Sequence, residues 1–209
     1  MRRSLGREGR HGGVRRSGQP GDCREPAPAL KLPVFDFDGT LVDSDDALVE
    51  PFIRMGIPRD AVRFGRLLAD ECAAHGVTVD EYLALYDATA ARPFDGVDEL
   101  LGAVGRWALC SHKARRSGEA ELVRLGWNPE VALFAEDFAP VGKRLEPVLE
   151  ALDVPAAEVV FVGDTAHDRS CALEAGATFV LAGWNPRATA SDGDLVAATP
   201  ADVLPLLRR

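Results

Sequence analysis

Val34-Phe35-Asp36-Phe37-Asp38-Gly39-Thr40 is an apolar run that carries two aspartates set two apart and closes on a glycine. In an extended strand, residues i and i+2 project to the same side. Asp36 and Asp38 therefore leave the end of the strand together, just before a glycine that permits a sharp turn. Carboxylates are seldom buried without a partner. The stretch reads either as a strand ending in a solvated Asp-Gly turn or as acids aimed at a metal or a reacting group, and the rest of the chain decides between them.

Working outward, the spacing predicts a first strand over Leu32–Phe37 and three helices over 45–55, 59–75 and 78–90. From Pro93 onward strand and helix alternate. Helices are predicted at 97–104, 119–125, 145–152, 168–175 and 201–207, and strands at 106–110, 131–135, 158–162 and 177–181, with 183–199 as loop. Val159-Val160-Phe161-Val162 is apolar throughout, the mark of a strand covered on both faces of a parallel sheet. Repeated βα units imply right-handed crossovers and an α/β, doubly wound (Rossmann-like) sheet. Its ligands bind beyond the carboxyl ends of the strands. The expected organisation is a basic tail over 1–28 too polar to order itself, an α/β core from 29–43 and 93–209, and a helical insertion at 44–92.

The chain has 209 residues and a net charge of −9. Residues 1–27 carry +4, which leaves −13 for the remainder. So acidic a body argues against nucleic acid as the main partner. Cys23, Cys72, Cys110 and Cys171 form no C-x-x-C pair, which gives zinc little support, and Cys110 and Cys171, in apolar contexts, read as small hydrophobes in a reducing compartment. No apolar run approaches a membrane span or a signal-peptide core, so the expected location is cytoplasmic, with no membrane partner. Only three of the 24 basic residues are lysines (Lys31, Lys113 and Lys143). A lysine at a meaningful position is therefore unusually informative here.

The ends of the predicted strands collect Asp36 and Asp38, then Ser111 and His112, then Asp164 with Asp168 four residues on; Lys143 precedes a helix between the last two groups. Carboxylates brought together repel unless a cation neutralises them. An all-oxygen set of hard ligands suits Mg2+.

With Asp36-Phe37-Asp38-Gly39-Thr40-Leu41, Ser111, Lys143 and Gly163-Asp164-Thr165-Ala166-His167-Asp168 in this order, residues 32–207 resemble the haloacid dehalogenase-like hydrolases. The 44–92 insertion resembles the small helical cap of their phosphoglycolate phosphatase-like branch. That resemblance implies a magnesium-dependent phosphatase acting on a small phosphorylated metabolite through an aspartyl-phosphate. Asp36 would be the nucleophile, and Asp38 the acid and then the base. Asp36, Asp164 and the Asp38 backbone carbonyl would hold magnesium, with Asp168 in support. Ser111 and Lys143 would bind the phosphate, aided by the Gly39-Thr40 turn and the backbone near His112. His112 stands where many relatives have Asn, and it either meets substrate or packs at the strand end. Arg144 replaces a common Pro.

The acid at Asp38 favours phosphoryl transfer over dehalogenation. The lack of a lysine in 44–92 argues against Schiff-base chemistry, and the chain order of the acids differs from that of receiver domains. Arg54, Arg59, Arg63 and Arg66 are the insertion's candidates for a substrate anion. Phosphoglycolate, a nucleoside monophosphate and a sugar phosphate stay open as substrates. A phosphate- or partner-binding protein on this fold is the non-enzyme alternative. The expected state is a monomer or homodimer.

Overall fold

The computed structural model describes residues 30–64 and 67–208. The tail expected over 1–28, Cys23 and Arg66 thus lie outside the described residues. Six strands form one parallel sheet: β1 (Leu32–Phe35), β4 (Ala108–Cys110), β5 (Val131–Leu133), β6 (Val159–Gly163), β7 (Thr178–Ala182) and β8 (Leu195–Ala197), in the order β5-β4-β1-β6-β7-β8. β2 (Val42–Asp43) and β3 (Arg92–Pro93) make a separate antiparallel pair.

Alternation along the strands builds two cores. Phe35, Leu109, Val160, Val162 and Val180 face one side, covered by α4 (Val97–Val104), α5 (Arg115–Leu125) and α8 (Val203–Leu206). Val34, Ala108, Cys110, Val159 and Phe161 face the other, covered by α6 (Glu146–Leu152) and α7 (Ala166–Ala175). This is the α/β doubly wound sheet expected from the sequence.

Register levels the strand ends that matter. Phe35 pairs with Leu109 on one side and Val162 on the other. The Asp36 N–H then donates to the Val162 carbonyl at 2.9 Å. Asp36, Ser111 and Asp164 are thereby carried to the same edge of the sheet, on either side of the strand where the winding reverses direction.

Between β2 and β3 lie α1 (Asp45–Arg54), α2 (Leu68–Ala74) and α3 (Val79–Leu85), which share a small core of Phe52, Cys72 and Tyr82. Here the expected helices are corrected. The 59–75 helix is a single 3-10 turn at Arg59–Ala61 followed by α2, because Val62 is extended and Glu71 takes the Arg63 N–H at 2.8 Å. α3 ends at Leu85 rather than at residue 90, where extended backbone at Tyr86 turns that side chain towards the sheet.

Two further differences lie in the sheet and its helices. Leu195–Ala197, expected as loop, is the edge strand β8, whose three residues are too few to show a period. α5 starts at Arg115, four residues before the apolar spacing shows it, because its first turn is polar; there the Arg115 N–H donates to both Glu136 carboxylate oxygens.

Candidate active site

The turn after β1 is fixed by backbone bonds. Gly39 N–H donates to Val42 O at 2.8 Å and Leu41 N–H to Phe37 O at 2.9 Å, while the buried Phe37 packs edge-on to Trp127. Gly39 sits at φ +82°, and a Cβ there would come within 2.4 Å of Asp164 Oδ2. Only glycine meets both conditions. Trp184 Nε1 donates to Thr40 O at 2.9 Å, and Asn185 Nδ2 reaches both Gly39 O (2.9 Å) and Asp164 Oδ2 (2.8 Å). Thr40 Oγ1 donates to Asp164 Oδ1 at 3.3 Å.

Asp36, Asp164 and Asp168 are all buried, and one oxygen from each lies within 4.8 Å of the others. Lys143 Nζ bridges two of them, 2.6 Å from Asp36 Oδ1 and bonded also to Asp168 Oδ1. Asp168 uses its other oxygen to cap α7, accepting from Thr165 N–H (3.0 Å) and Thr165 Oγ1 (2.6 Å). The Lys143 segment is held by two buried thiols: Cys171 donates to Lys143 O and Cys110 to Arg144 O.

One lysine cannot neutralise three buried carboxylates. Burial, with Asp168 and Asp164 nearby, pushes Asp36 up to about 8 although Lys143 opposes it. Burial and then Asp168 push Asp164 up to about 6. Asp168 is held below the ordinary range because Lys143 and the Thr165 bonds outweigh burial. Close-set oxygen donors short of positive charge fit a hard divalent cation.

Asp38 lies apart from this group. Its carboxylate accepts from Lys113 Nζ at 2.8 Å. Lys113 is buried and also reaches Glu121 Oε1 (3.0 Å) and the Tyr86 hydroxyl (3.0 Å). Burial would discharge Lys113, but Asp38, Tyr86 and Glu121 hold its pKa above the usual value. The Tyr86 hydroxyl donates to Glu121.

Ser111 is buried at the end of β4, its Oγ accepting from the Lys113 N–H at 3.2 Å. His112 packs flat on His167, ring centres 4.8 Å apart, and its Nε2 accepts the Lys143 N–H at 2.7 Å. Burial and the neighbouring Lys143 and His167 push His112 down to about 4, so the ring is neutral. His112 thus packs at the strand end and also lines the cavity.

That cavity, about 570 Å³, opens over Asp36, Asp38, Ser111, Lys143 and Asp164 and is roofed by residues of α1–α3. Arg63 lies on its wall, whereas Arg54 bonds Leu85 O and Arg59 pairs with Asp46.

Sequence reasoning brought forward Asp36, Asp38, Gly39, Thr40, Ser111, His112, Lys143, Asp164 and Asp168, and all of them stand at this edge. It missed Lys113, Glu121, Tyr86, Asn185 and Arg187. Lysine scarcity was a usable signal for Lys113. Glu121 carries none, since it sits in a polar helix and reads as surface.

An acidic centre joined by a buried lysine stands at the edge of a doubly wound sheet. A HAD-hydrolase-like family model matches residues 139–208. Among curated proteins, the chain is 30% identical over 179 residues to an N-acetylmuramic acid 6-phosphate phosphatase of Pseudomonas aeruginosa, covering 70% of this chain and 79% of the relative. It is 29% identical to a phosphoglycolate phosphatase of Xanthomonas campestris, covering 74% and 83%. A haloacid dehalogenase-like hydrolase from Streptococcus pneumoniae superposes with a TM-score of 0.68 at 18% identity, covering 85% of this chain and 98% of that one. The chain belongs to the haloacid dehalogenase-like hydrolase family. Within it, the chain is a phosphoric monoester hydrolase. No helix among the described residues is long and apolar enough to cross a membrane.

Proposed function

We propose that the protein hydrolyses a small phosphomonoester in two displacements at phosphorus, with Asp36 as nucleophile and Asp38 as acid and base. The observation that carries this is the Asp36 carboxylate, buried at the cavity floor with Lys143 on Oδ1 and Asp164 and Asp168 beside it.

In the first displacement, an Asp36 oxygen bonds to phosphorus as the ester P–O bond breaks, and the departing alkoxide takes the Asp38 proton. In the second, Asp38 takes a proton from water as that water's oxygen bonds to phosphorus. The Asp36–phosphorus bond then breaks, releasing inorganic phosphate and the carboxylate. Lys143, Ser111 and the backbone after Gly39 and His112 face the phosphoryl oxygens, where charge spreads in the transition state. Asp36, Asp164 and Asp168 would hold magnesium, which neutralises phosphoryl and carboxylate charge when bound. Residues 44–92 act as a cap on the core of 29–43 and 93–209, keeping water from the phosphoenzyme.

The test is phosphate release from p-nitrophenyl phosphate with and without magnesium, for the wild type and Asp36→Asn. Loss of kcat by a factor on the order of 10⁴ in the variant is expected. Equal turnover by both proteins would end the covalent mechanism.

A further inference from the structure

The roof of the cavity limits what the phosphate is attached to. Leu48, Phe52, Phe64, Leu68, Tyr82 and Tyr86 line it on the side of the insertion. The polar atoms among them are already used. Tyr82 donates to Leu48 O at 2.9 Å, and Tyr86 is held between Glu121 and Lys113. Lys113 is occupied by Asp38, Glu121 and Tyr86.

Arg187, reaching in from the loop after β7, pairs with Asp45 and lies 4.2 Å over the face of Phe64. It thus braces Phe64 against the cavity instead of presenting a free charge. Arg63, Glu71, Ser117 and Thr189 line other parts of the cavity, so only hydroxyls pressed against this apolar patch lose water without regaining hydrogen bonds. The volume, about 570 Å³, falls among sites that enclose ligands of drug size. A two-carbon alcohol would leave most of it unfilled.

Taking the phosphatase reading as given, we infer that the substrate is a phosphomonoester whose alcohol carries an uncharged apolar body of ring size, seated against Phe52, Phe64 and Tyr82. Phe64, braced by Arg187, determines that preference. Arg63 is exposed on the rim and is the described cation that a carboxylate-bearing alcohol would have to use.

Ethyl phosphate and 2-phenylethyl phosphate lose chemically alike alkoxides, so their ratio of kcat/KM isolates the body of the alcohol. We expect 2-phenylethyl phosphate to be favoured roughly tenfold or more, mainly through KM, and to exceed phosphoglycolate and glucose 6-phosphate. Phe64→Ala should pull the phenylethyl-to-ethyl ratio towards one, and Phe64→Leu should restore part of it. Phe64 is partly exposed, so neither change threatens the fold.

A ratio near one in the wild type overturns the inference while leaving the phosphatase reading intact. So does a preference for glucose 6-phosphate, or one for phosphoglycolate that Arg63→Ala abolishes. Absence of phosphate release from every ester would overturn the phosphatase reading and this inference with it.

Discussion

Lys113 Nζ lies 2.8 Å from Asp38 Oδ1, an ion pair in which the lysine is buried and the aspartate faces the cavity. The same ammonium neutralises Glu121, whose side chain is wholly buried and whose Oε2 has no hydrogen-bond partner among the described residues. Asp38, the acid and base proposed above, is therefore held by a lysine that is itself tied to α5 and to the segment after α3.

Lys113→Met removes one cation from two carboxylates. Breaking a buried pair from one side costs about 3–5 kcal/mol, so the urea midpoint should fall accordingly. Adding Glu121→Leu should recover most of that loss, because an apolar replacement removes the stranded charge. The double variant should nevertheless stay slow in kcat, since Asp38 keeps no partner. A double variant no more stable than the single one would show that Glu121 is not what Lys113 compensates.

Metal binding should move protons. With Asp36 at about 8 and Asp164 at about 6, the former is largely protonated at pH 7 without a cation. Magnesium requires the carboxylate, so its binding at pH 7 should release on the order of one proton. Calorimetric titration in buffers of different ionisation enthalpy counts that proton. The count should decline as pH rises through 8, and a count of zero at pH 7 would contradict the arrangement. Saturating magnesium should also stabilise the fold, by about 2.7 kcal/mol at a hundred times its Kd.

His112 gives a stability signature on the acid side. Its folded pKa, about 4, lies below the ordinary histidine value of 6.5. Between pH 6.5 and 4 the unfolded chain therefore binds a proton that the native chain refuses, and stability falls as pH is lowered through that window. His112→Gln keeps an acceptor for the Lys143 N–H and removes the titration. Urea melts at pH 6.5, 5.5 and 4.5 should show a shallower decline in the variant than in the wild type, and parallel declines would refute the assignment.

Two helical glycines should respond oppositely to alanine. At Gly118, in α5, a Cβ would sit 2.2 Å from Phe134 Cε1, so Gly118→Ala overpacks the core and should cost about 1–3 kcal/mol. At Gly102, in α4, nothing lies within 4 Å, and Gly102→Ala should gain about 0.5–1 kcal/mol from backbone entropy. Thermal melts of both variants check the pair of signs.

The sheet was legible because its evidence is local. The unbroken apolar run at Val159–Val162 and the Asp36–Asp38 spacing each follow from the period of a strand. The acidic centre was legible because strand ends must converge. What escaped depends on tertiary demand. Glu121 lies in a polar helix, and its burial exists only because Lys113 arrives from another element. The break at Val62–Phe64 cannot be seen in helical spacing, since it is set by where Glu71 places its carboxylate. Asn185 and Arg187 sit in a loop whose purpose becomes visible only once the Gly39–Thr40 turn and Phe64 are beside it.

Asp168 has one oxygen on Lys143 and the other on the first turn of α7. The position therefore serves two structural ends at once, the lysine and the helix start. Replacing Asp168 would thus unsettle the start of α7 along with the hold on Lys143, so a lost activity there would have to be told apart from a loosened helix.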